Sequence, residues 1–366
     1  MSEQDLILYI VVGTALAFDF TNGFHDTANV VATSISTRAM SPRIAVGYAA
    51  VLNFAGAFIS LEVAATVAKD VVDPEAITTT IVFAGLVGAI AWNLITWYYG
   101  LPSSSSHALI GGVVGSAFVA VGADAVFGEG ILGKVLIPAL IAPVLAFVAG
   151  AIAITLCYWV VGSLRPGPVT RGFRLGQVAS GGLLALAHGT NDAQKTMGVI
   201  VLALIASGDL GADADVPTWV VVAAATAIAL GTYIGGWRII KTMGTRIIKM
   251  DAAQGFSAQG AGAAVILTSS HFGFPLSTTQ VISGGIMGAG AGKRLSAVRW
   301  GVAGNIVTAW ILTLPAAAAI GGLTYGVTQL FGDGAVGPVV VFLAGLALAG
   351  LAFARRVRQP APAPTG

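Results

Sequence analysis

The sequence predicts an all-α polytopic membrane protein, and three observations lead to this prediction. Hydrophobic residues make up 56% of the chain and charged residues only 9%, whereas a soluble domain carries about 25% charged residues. Apolar stretches long enough to span a bilayer recur from one end of the 366 residues to the other. The alternating segments of about ten residues that are typical of a transmembrane barrel do not occur.

The predicted spanning segments follow one another with short polar connections. They lie at 5–34, 43–68, 76–99, 133–162, 176–206, 218–240, 256–271, 298–325 and 337–354. Two shorter apolar pieces, 102–121 and 275–291, each start at a proline that is followed by hydroxyl residues. The N-terminus MSEQD has no basic region before the first apolar run, so we expect a retained helix and not a cleaved signal peptide.

The connections alternate in charge, which predicts their side of the membrane. Basic residues cluster near positions 38–43, 165–174, 241–249, 293–299 and 355–358, and acidic residues near positions 70–75, 124–129 and 209–215. If both short pieces cross, every basic connection falls on one side. The positive-inside rule then predicts a plasma-membrane protein with its N-terminus outside and its C-terminus in the cytoplasm.

The chain contains an internal duplication. Gly-x-x-Asp at 23–26 recurs at 189–192 with an offset of 166 residues. LPSSSSHALIGGVVG at 101–115 matches FPLSTTQVISGGIMG at 274–288 with an offset of 173 residues. Each half has five predicted crossings, and an odd number inverts the second copy relative to the first, as in secondary transporters.

The duplication therefore sets the expected organisation. We predict two inverted-topology repeats whose broken or short helices meet near the midplane. The boundaries are 1–162 for repeat 1, 163–175 for a basic cytoplasmic linker, 176–325 for repeat 2, 326–354 for an additional transmembrane helix and 355–366 for a cytoplasmic tail.

Two aspartates stand at equivalent places inside spanning segments. An aspartate at the centre of such a helix costs about 2.5–3.5 kcal/mol on insertion scales. Asp26 lies on one helical face with Asn22 and Asn29, and Asp192 lies on one face with His188 and Lys195. Carboxylate and amide oxygens suit Na⁺, and a carboxylate can also carry a proton. We predict that Asp26, Asp192, Asn29 and Asn191 hold a coupling cation, although an ion pair of Asp192 with Lys195 is an alternative explanation.

The hydroxyl clusters suggest an anion as the second ligand. A proline followed by serines or threonines and then an apolar run predicts a helix start, where free backbone N–H groups and the positive end of the helix dipole attract anions. Two such starts meeting at the midplane would surround a compact oxyanion such as phosphate with donors. The predicted substrate-binding residues are Ser104, Ser105, Ser106, Ser277, Thr278, Thr279, Asn22 and Gln194.

Together these residues indicate cation–anion symport, because two bare carboxylates would repel an oxyanion unless a cation bound first. A permease for sulfate or another oxyanion is one alternative. An intramembrane serine hydrolase is another, since SSSSH, His188 and Asp192 supply the residue types of a triad. Duplicated hydroxyls and the lack of a GxSxG motif count against the hydrolase. No resident cofactor or metal is indicated, and a net charge of +2 does not suggest nucleic acid.

At these residues the chain resembles the PiT family of inorganic phosphate transporters, in particular its bacterial low-affinity members. The segments that carry the resemblance are NGFHDTAN, TRAMSP, WNLITWYYGLPSSSSHALIG, AHGTNDAQK and NIVTAWILTLPAA, in that order. The resemblance implies phosphate uptake driven by H⁺ or Na⁺, in some bacterial members as a neutral metal–phosphate complex, and a homodimer. It also implies functional aspartates at Asp26 and Asp192. Ala65 stands where animal relatives carry a glutamate, so their Na⁺ ligation is not expected in full.

Overall fold

The structure, a computed structural model, describes residues 2–358, with side chains up to residue 351. Over this range the chain is helical apart from its connections and one isolated antiparallel bridge between Val72 and Val126. Residues 359–366, most of the predicted cytoplasmic tail, lie outside the described residues. The helices are α1 (Glu3–Ser36), α2 (Pro42–Gly56), α3 (Glu62–Lys69), α4 (Thr79–Tyr99), α5 (Ser105–Ala120), α6 (Gly128–Val161), α7 (Pro166–Ala206), α8 (Thr218–Ile234), α9 (Trp237–Arg246), α10 (Ala252–His271), α11 (Thr278–Lys293), α12 (Trp300–Gln329) and α13 (Val336–Arg358).

Two predicted spans are broken helices. The segment drawn at 43–68 is interrupted between α2 and α3, and the segment drawn at 218–240 bends by 59° between α8 and α9. Gly235 lies at the second break, where its φ of 76° and ψ of 137° are outside the helical region and suit a residue that has no Cβ. The breaks occupy matching places in the two halves.

The stretch predicted as a linker, 163–175, is mostly helical. Helix α7 begins at Pro166, whose fixed φ suits the first helical position, and it continues without interruption to Ala206. Arg174 on this extension donates from Nε to the carbonyl oxygen of Thr37 at 3.0 Å. The basic stretch is therefore an extension of the helix that packs against the end of α1.

Length and hydropathy alone qualify four of the described helices as membrane spans. These are α1, α4, α6 and α12, and α8 with α9 makes a fifth if the bent pair counts as one span. Helix α5 and the described part of α13 are apolar but shorter. Helix α7, which carries the polar motif of the second half, is not among the four. The chain is a multi-span α-helical membrane protein.

The two halves pack into each other reciprocally. Helix α5 of the first half packs on α12 of the second, and α11 of the second half packs on α6 of the first. Glycines make both contacts close: a Cβ at Gly115 would overlap the carbonyl oxygen of Ala318, and one at Gly288 would overlap that of Phe147. These two glycines are equivalent positions of the duplication. Small residues allow such backbone contact between membrane helices.

Helix α10 begins with a capping box whose aspartate, Asp251, also forms an ion pair. Asp251 accepts from the backbone N–H of Gln254 at 2.9 Å, from the hydroxyl of Tyr158 at 2.6 Å and from Nζ of Lys293 at 3.0 Å. Partial burial alone would raise the pKa of Asp251, but these three donors together lower it below its ordinary value. The cap therefore joins α6, α10 and α11 at one end of the molecule.

Candidate substrate and cation site

The short helices α5 and α11 both begin deep in the protein with a serine cap. Ser104 accepts from the backbone N–H of His107 at 3.1 Å, and Ser277 accepts from that of Gln280 at 3.3 Å. Ser104 and Ser277 are thus committed to the N-caps in this conformation, which is the ordinary use of serine at a helix start. The next two hydroxyls of each cluster contact the buried aspartates or the other half of the chain.

The two helix starts meet each other. His107 and Gln280, which are equivalent at the offset of 173 residues, lie 3.5 Å apart from Nδ1 to Nε2. Ser106 of the first start donates to the carbonyl oxygen of Leu276, just before the second start, at 3.0 Å. Equivalent residues of the two halves are therefore in contact, and the two hydroxyl clusters lie beside this contact.

Asp26 receives hydroxyl groups from both halves. Ser105 donates to its Oδ2 at 2.7 Å, and Thr279 lies 3.3 Å from its Oδ1. Nδ1 of His25 contacts Oδ1 at 2.5 Å. Asn29, one turn further along α1, donates from Nδ2 to the hydroxyl of Thr279 at 2.9 Å. Asp26 is 1% exposed, so these groups replace the water that the carboxylate has lost.

Asp192 is paired with a buried lysine. Nζ of Lys195 lies 2.5 Å from Oδ1 of Asp192, 2.5 Å from Oγ of Ser106 and 2.6 Å from the carbonyl oxygen of Leu276. These three acceptors use all three ammonium protons. Nε2 of His188 lies 3.1 Å from Oδ2 of Asp192 but outside hydrogen-bond geometry, so we treat it as a close contact. The predicted ion pair of Asp192 and Lys195 is present.

Thr278 connects the two aspartates. Its hydroxyl lies 3.1 Å from Oδ2 of Asp192 and 3.4 Å from Oδ2 of Asp26, and its single proton can serve only one of them at a time. Asp26, Asp192 and His188 each offer a ligand atom, and these atoms lie within 4.8 Å of one another. Two carboxylates and an imidazole in this arrangement can hold a cation.

Two asparagine oxygens next to the aspartates have no hydrogen-bond partner. Oδ1 of Asn29 and Oδ1 of Asn191 are both buried and unpartnered. The amide nitrogen of Asn191 is anchored, since it donates to the hydroxyl of Ser270 at 2.8 Å and to the carbonyl oxygen of Phe274 at 3.2 Å. Both oxygens are therefore free to bind a ligand such as a cation.

Two predicted substrate residues, Gln194 and Asn22, make no hydrogen bond to the hydroxyl clusters among the described residues. Gln194 accepts from the backbone N–H groups of Val63 and Ala64 at 2.9 and 3.2 Å, which places its amide on the start of α3. Asn22 lies one turn before Asp26, and its Oδ1 is buried without a partner. The spacing that suggested these two residues could not show which neighbouring helix their side chains face.

Ser103 belongs to the hydroxyl run SSSSH, but it was not among the predicted substrate-binding residues. Its hydroxyl donates to Thr96 at 2.8 Å and lies 3.3 Å from Nε2 of His25. Ser103, His25 and Asp26 thus form a chain of the residue types found in a hydrolase. The serine hydrolase alternative had assigned the base to His188, on the opposite half. Here Ser105 and Thr279 also bind the aspartate, which gives it a ligand set much larger than the orienting acid of a triad requires.

Asp19 was missed as well. It lies in α1, two turns before Asp26, and it is fully buried with both carboxylate oxygens unpartnered. Residues 19, 22 and 26 are spaced by three and four, so they share one face of the helix. That spacing was the signal that could have revealed Asp19.

Fold and site define a multi-pass membrane protein with a sealed, charged centre, the class to which secondary transporters belong. A family model described as the phosphate transporter family matches residues 22–321. The chain belongs to this family, whose members are transporters and not enzymes; the predicted family resemblance is confirmed, and the hydrolase alternative was wrong.

Relatives and one solved structure agree with this assignment. The chain is 53% identical over 343 residues to a protein of Mycobacterium leprae (strain TN) named as a probable low-affinity inorganic phosphate transporter, with 93% of this chain and 83% of the relative covered. A protein of Bacillus subtilis (strain 168) with the same name is 45% identical, with 88% and 97% covered. The solved structure of a sodium-dependent phosphate transporter matches with a TM-score of 0.79 at 25% identity, covering 89% of this chain and 99% of that one.

Proposed function

We propose that the protein imports inorganic phosphate by cation-coupled symport through alternating access. One observation carries the proposal: hydroxyl groups from both halves converge on two buried aspartates, with Thr278 within reach of both. Family membership and the names of the relatives support phosphate as the substrate. The coupling cation is Na⁺ or H⁺, and the similarity to a sodium-dependent transporter supports Na⁺.

The coupling follows from competition for the same donors. In this conformation Ser105 donates its proton to Asp26, and Thr278 and Thr279 lie close to the aspartates. A cation bound to Asp26 would neutralise the carboxylate and release these hydroxyls. The released donors could then bind phosphate oxygens, as charge-assisted hydrogen bonds favour. Phosphate would enter only after the cation, because the carboxylate of Asp26, which has no lysine or arginine partner, repels it.

Lys195 and the helix starts supply the remaining positive potential. The ammonium group of Lys195 contacts Ser106 and lies beside the start of α11. The N-terminal ends of α5 and α11 add the positive ends of two helix dipoles. A divalent metal travelling with phosphate would find Asp26, Asp192 and His188 as ligands, so it would be part of the cargo.

The two halves are proposed to be inverted repeats, 1–162 and 176–325. The reciprocal packing of α5 on α12 and of α11 on α6 supports a twofold relation, as does the contact of His107 with Gln280. The alternation of acidic and basic connections supports an external N-terminus and a cytoplasmic C-terminus. The family resemblance adds a homodimer to the proposal, which the mass of the solubilised protein would test.

Uptake of ³²P-phosphate into proteoliposomes tests the proposed function. An imposed Na⁺ or proton gradient should drive uptake, and excess sulfate should leave it unchanged. Asp26→Asn and Asp192→Asn should each abolish uptake while the protein still inserts into the membrane. Lys249→Gln, which removes a charge at an exposed position of the connection before α10, is the control and should transport normally. Normal transport by either of the first two variants would contradict the proposal, and inhibition by sulfate would favour a general oxyanion permease.

A further inference from the structure

A second group of unpartnered polar atoms lies outside the central site. It consists of both carboxylate oxygens of Asp19, Oδ1 of Asn22 and Oγ1 of Thr196. The three residues are at most 1% exposed. Asn22 and Thr196 are among the polar groups that face Asp19. Buried polar atoms are nearly always hydrogen-bonded, so four unpartnered oxygens together point to a missing ligand.

The charges around Asp19 leave it without a counter-ion. Lys195 and Asp192 both face it, one positive and one negative. Lys195, however, uses its three protons on Asp192, Ser106 and the carbonyl oxygen of Leu276. No ion pair satisfies Asp19 among the side chains that the structure describes, those of residues 2–351. An uncompensated carboxylate inside a membrane protein is costly and is typical of a functional position.

We propose that Asp19, Asn22 and Thr196 form a second cation site, which binds Na⁺ on its way to the central site. The side chains of Thr196 and Asn22 are close enough to interact with the carboxylate of Asp19, but neither contact meets the geometry of a hydrogen bond. A single proton on Asp19 would join at most one pair of these oxygens. A cation coordinated between them satisfies all four at once. A carboxylate with an amide and a hydroxyl oxygen is the hard donor set that suits Na⁺. The role of this site in transport rests on the proposed function, whereas its ability to bind a cation is inferred from its own residues.

The position of the site fits an entry station. Asp19 lies seven residues before Asp26 on α1, about 10 Å along the helix at 1.5 Å per residue. Thr196 lies one turn beyond Asp192 on α7. Asp19 and Thr196 are therefore displaced from the two aspartates of the central site towards the same end of the molecule. At this end α1 starts with Glu3, and the acidic connection 209–215 follows α7. Negative charge at this end would raise the local concentration of cations.

Binding of ²²Na⁺ to the purified full-length protein, without phosphate, tests the inference. Wild-type protein should bind Na⁺ saturably. Asp19→Asn keeps the shape of the side chain and removes its charge, and Thr196→Val removes one oxygen. Each should either lose one bound Na⁺ per chain or raise the half-saturating Na⁺ concentration about tenfold or more, since weakening even an indirect metal contact costs about 10–100-fold.

Controls separate the two sites and the two proposals. Thr14→Val removes a buried hydroxyl from the same helix, where it donates to the carbonyl oxygen of Ile10, and should bind Na⁺ as the wild type does. Asp26→Asn should retain the outer ion. Wild-type binding by both Asp19→Asn and Thr196→Val would overturn the inference, as would an Asp19→Asn variant that changes only the pH dependence of uptake. If Asp19→Asn fails to fold, Thr196→Val decides. Failure of phosphate uptake in wild-type proteoliposomes would instead refute the proposed function.

Discussion

Removing the buried ammonium group of Lys195 should destabilise the protein strongly. Lys195→Met keeps the length and apolar stem of the side chain but deletes the charge. Asp192 then loses its only lysine partner, and Ser106 and the carbonyl oxygen of Leu276 lose a donor. Lys195 is 1% exposed, so water cannot replace these contacts.

The magnitude follows from the cost of an unpaired buried charge. Breaking a buried ion pair on one side costs about 3–5 kcal/mol. For 366 residues, an unfolding entropy of about 2.1 cal/mol/K per residue gives about 0.8 kcal/mol/K. The expected fall in Tm is therefore about 4–6 °C. Asp192→Asn should cost a similar amount, because it leaves the lysine charge unpaired.

The double variant provides the decisive comparison. Lys195→Met with Asp192→Asn removes both charges, so it should recover most of the stability that either single change loses. Thermal unfolding of the solubilised proteins, followed by the loss of the monodisperse peak in size-exclusion chromatography, measures all four. Additive losses in the double variant would refute the reasoning, because they would mean that the two charges do not stabilise each other.

Three further changes test other parts of the structure. Ser105→Ala should lower kcat/KM for phosphate about tenfold or more, since it removes a charge-assisted hydrogen bond; unchanged uptake would exclude Ser105 from the site. Gly288→Ala places a Cβ against a backbone carbonyl and should cost about 1–3 kcal/mol in thermal unfolding, whereas Gly13→Ala, which meets no atom within 4 Å, should not. Asp251 has a lowered pKa, so its cap stabilises the fold above the ordinary pKa of about 4 and loses this effect as the pH falls through the folded-state pKa. Asp251→Asn should therefore reduce the loss of thermal stability below about pH 4. The effect should be less than about 1 kcal/mol, because the ion pair of Asp251 with Lys293 is half exposed. An unchanged dependence of Tm on pH in this range would exclude the role of Asp251.

The helical membrane architecture was predictable from composition, because apolar length and scarce charge determine that class directly. The duplication was also readable, and the bounds of α5 and α11 differ by the predicted offset of 173 residues. The breaks after α2 and α8 were not predicted, since their apolar character continues across both. Only the backbone conformation at Gly235 shows that the second segment bends.

The sequence predicted most residues of the candidate site but not all of their contacts. Asp26, Asp192, Ser105 and the two threonines at 278 and 279 were expected to be close together, and they are. Helical spacing identifies which residues share a face but not which neighbour that face meets. For this reason Gln194 was assigned to phosphate although it caps α3. Their roles in binding phosphate or a cation stay predictions.

The reciprocal packing of the halves has a consequence for biosynthesis. The ribosome completes residues 1–162 before it makes the segment 274–288 that supplies hydroxyls to Asp26. At about 5–20 residues per second, the wait is on the order of ten seconds. During that time the nascent first half lacks Thr278 and Thr279, which contact Asp26, and it lacks α11, whose Gly288 packs against α6. Neither half expressed alone contains all the residues of the polar centre. We therefore expect a folded protein when the two separate halves are co-expressed, and not when either half is expressed alone.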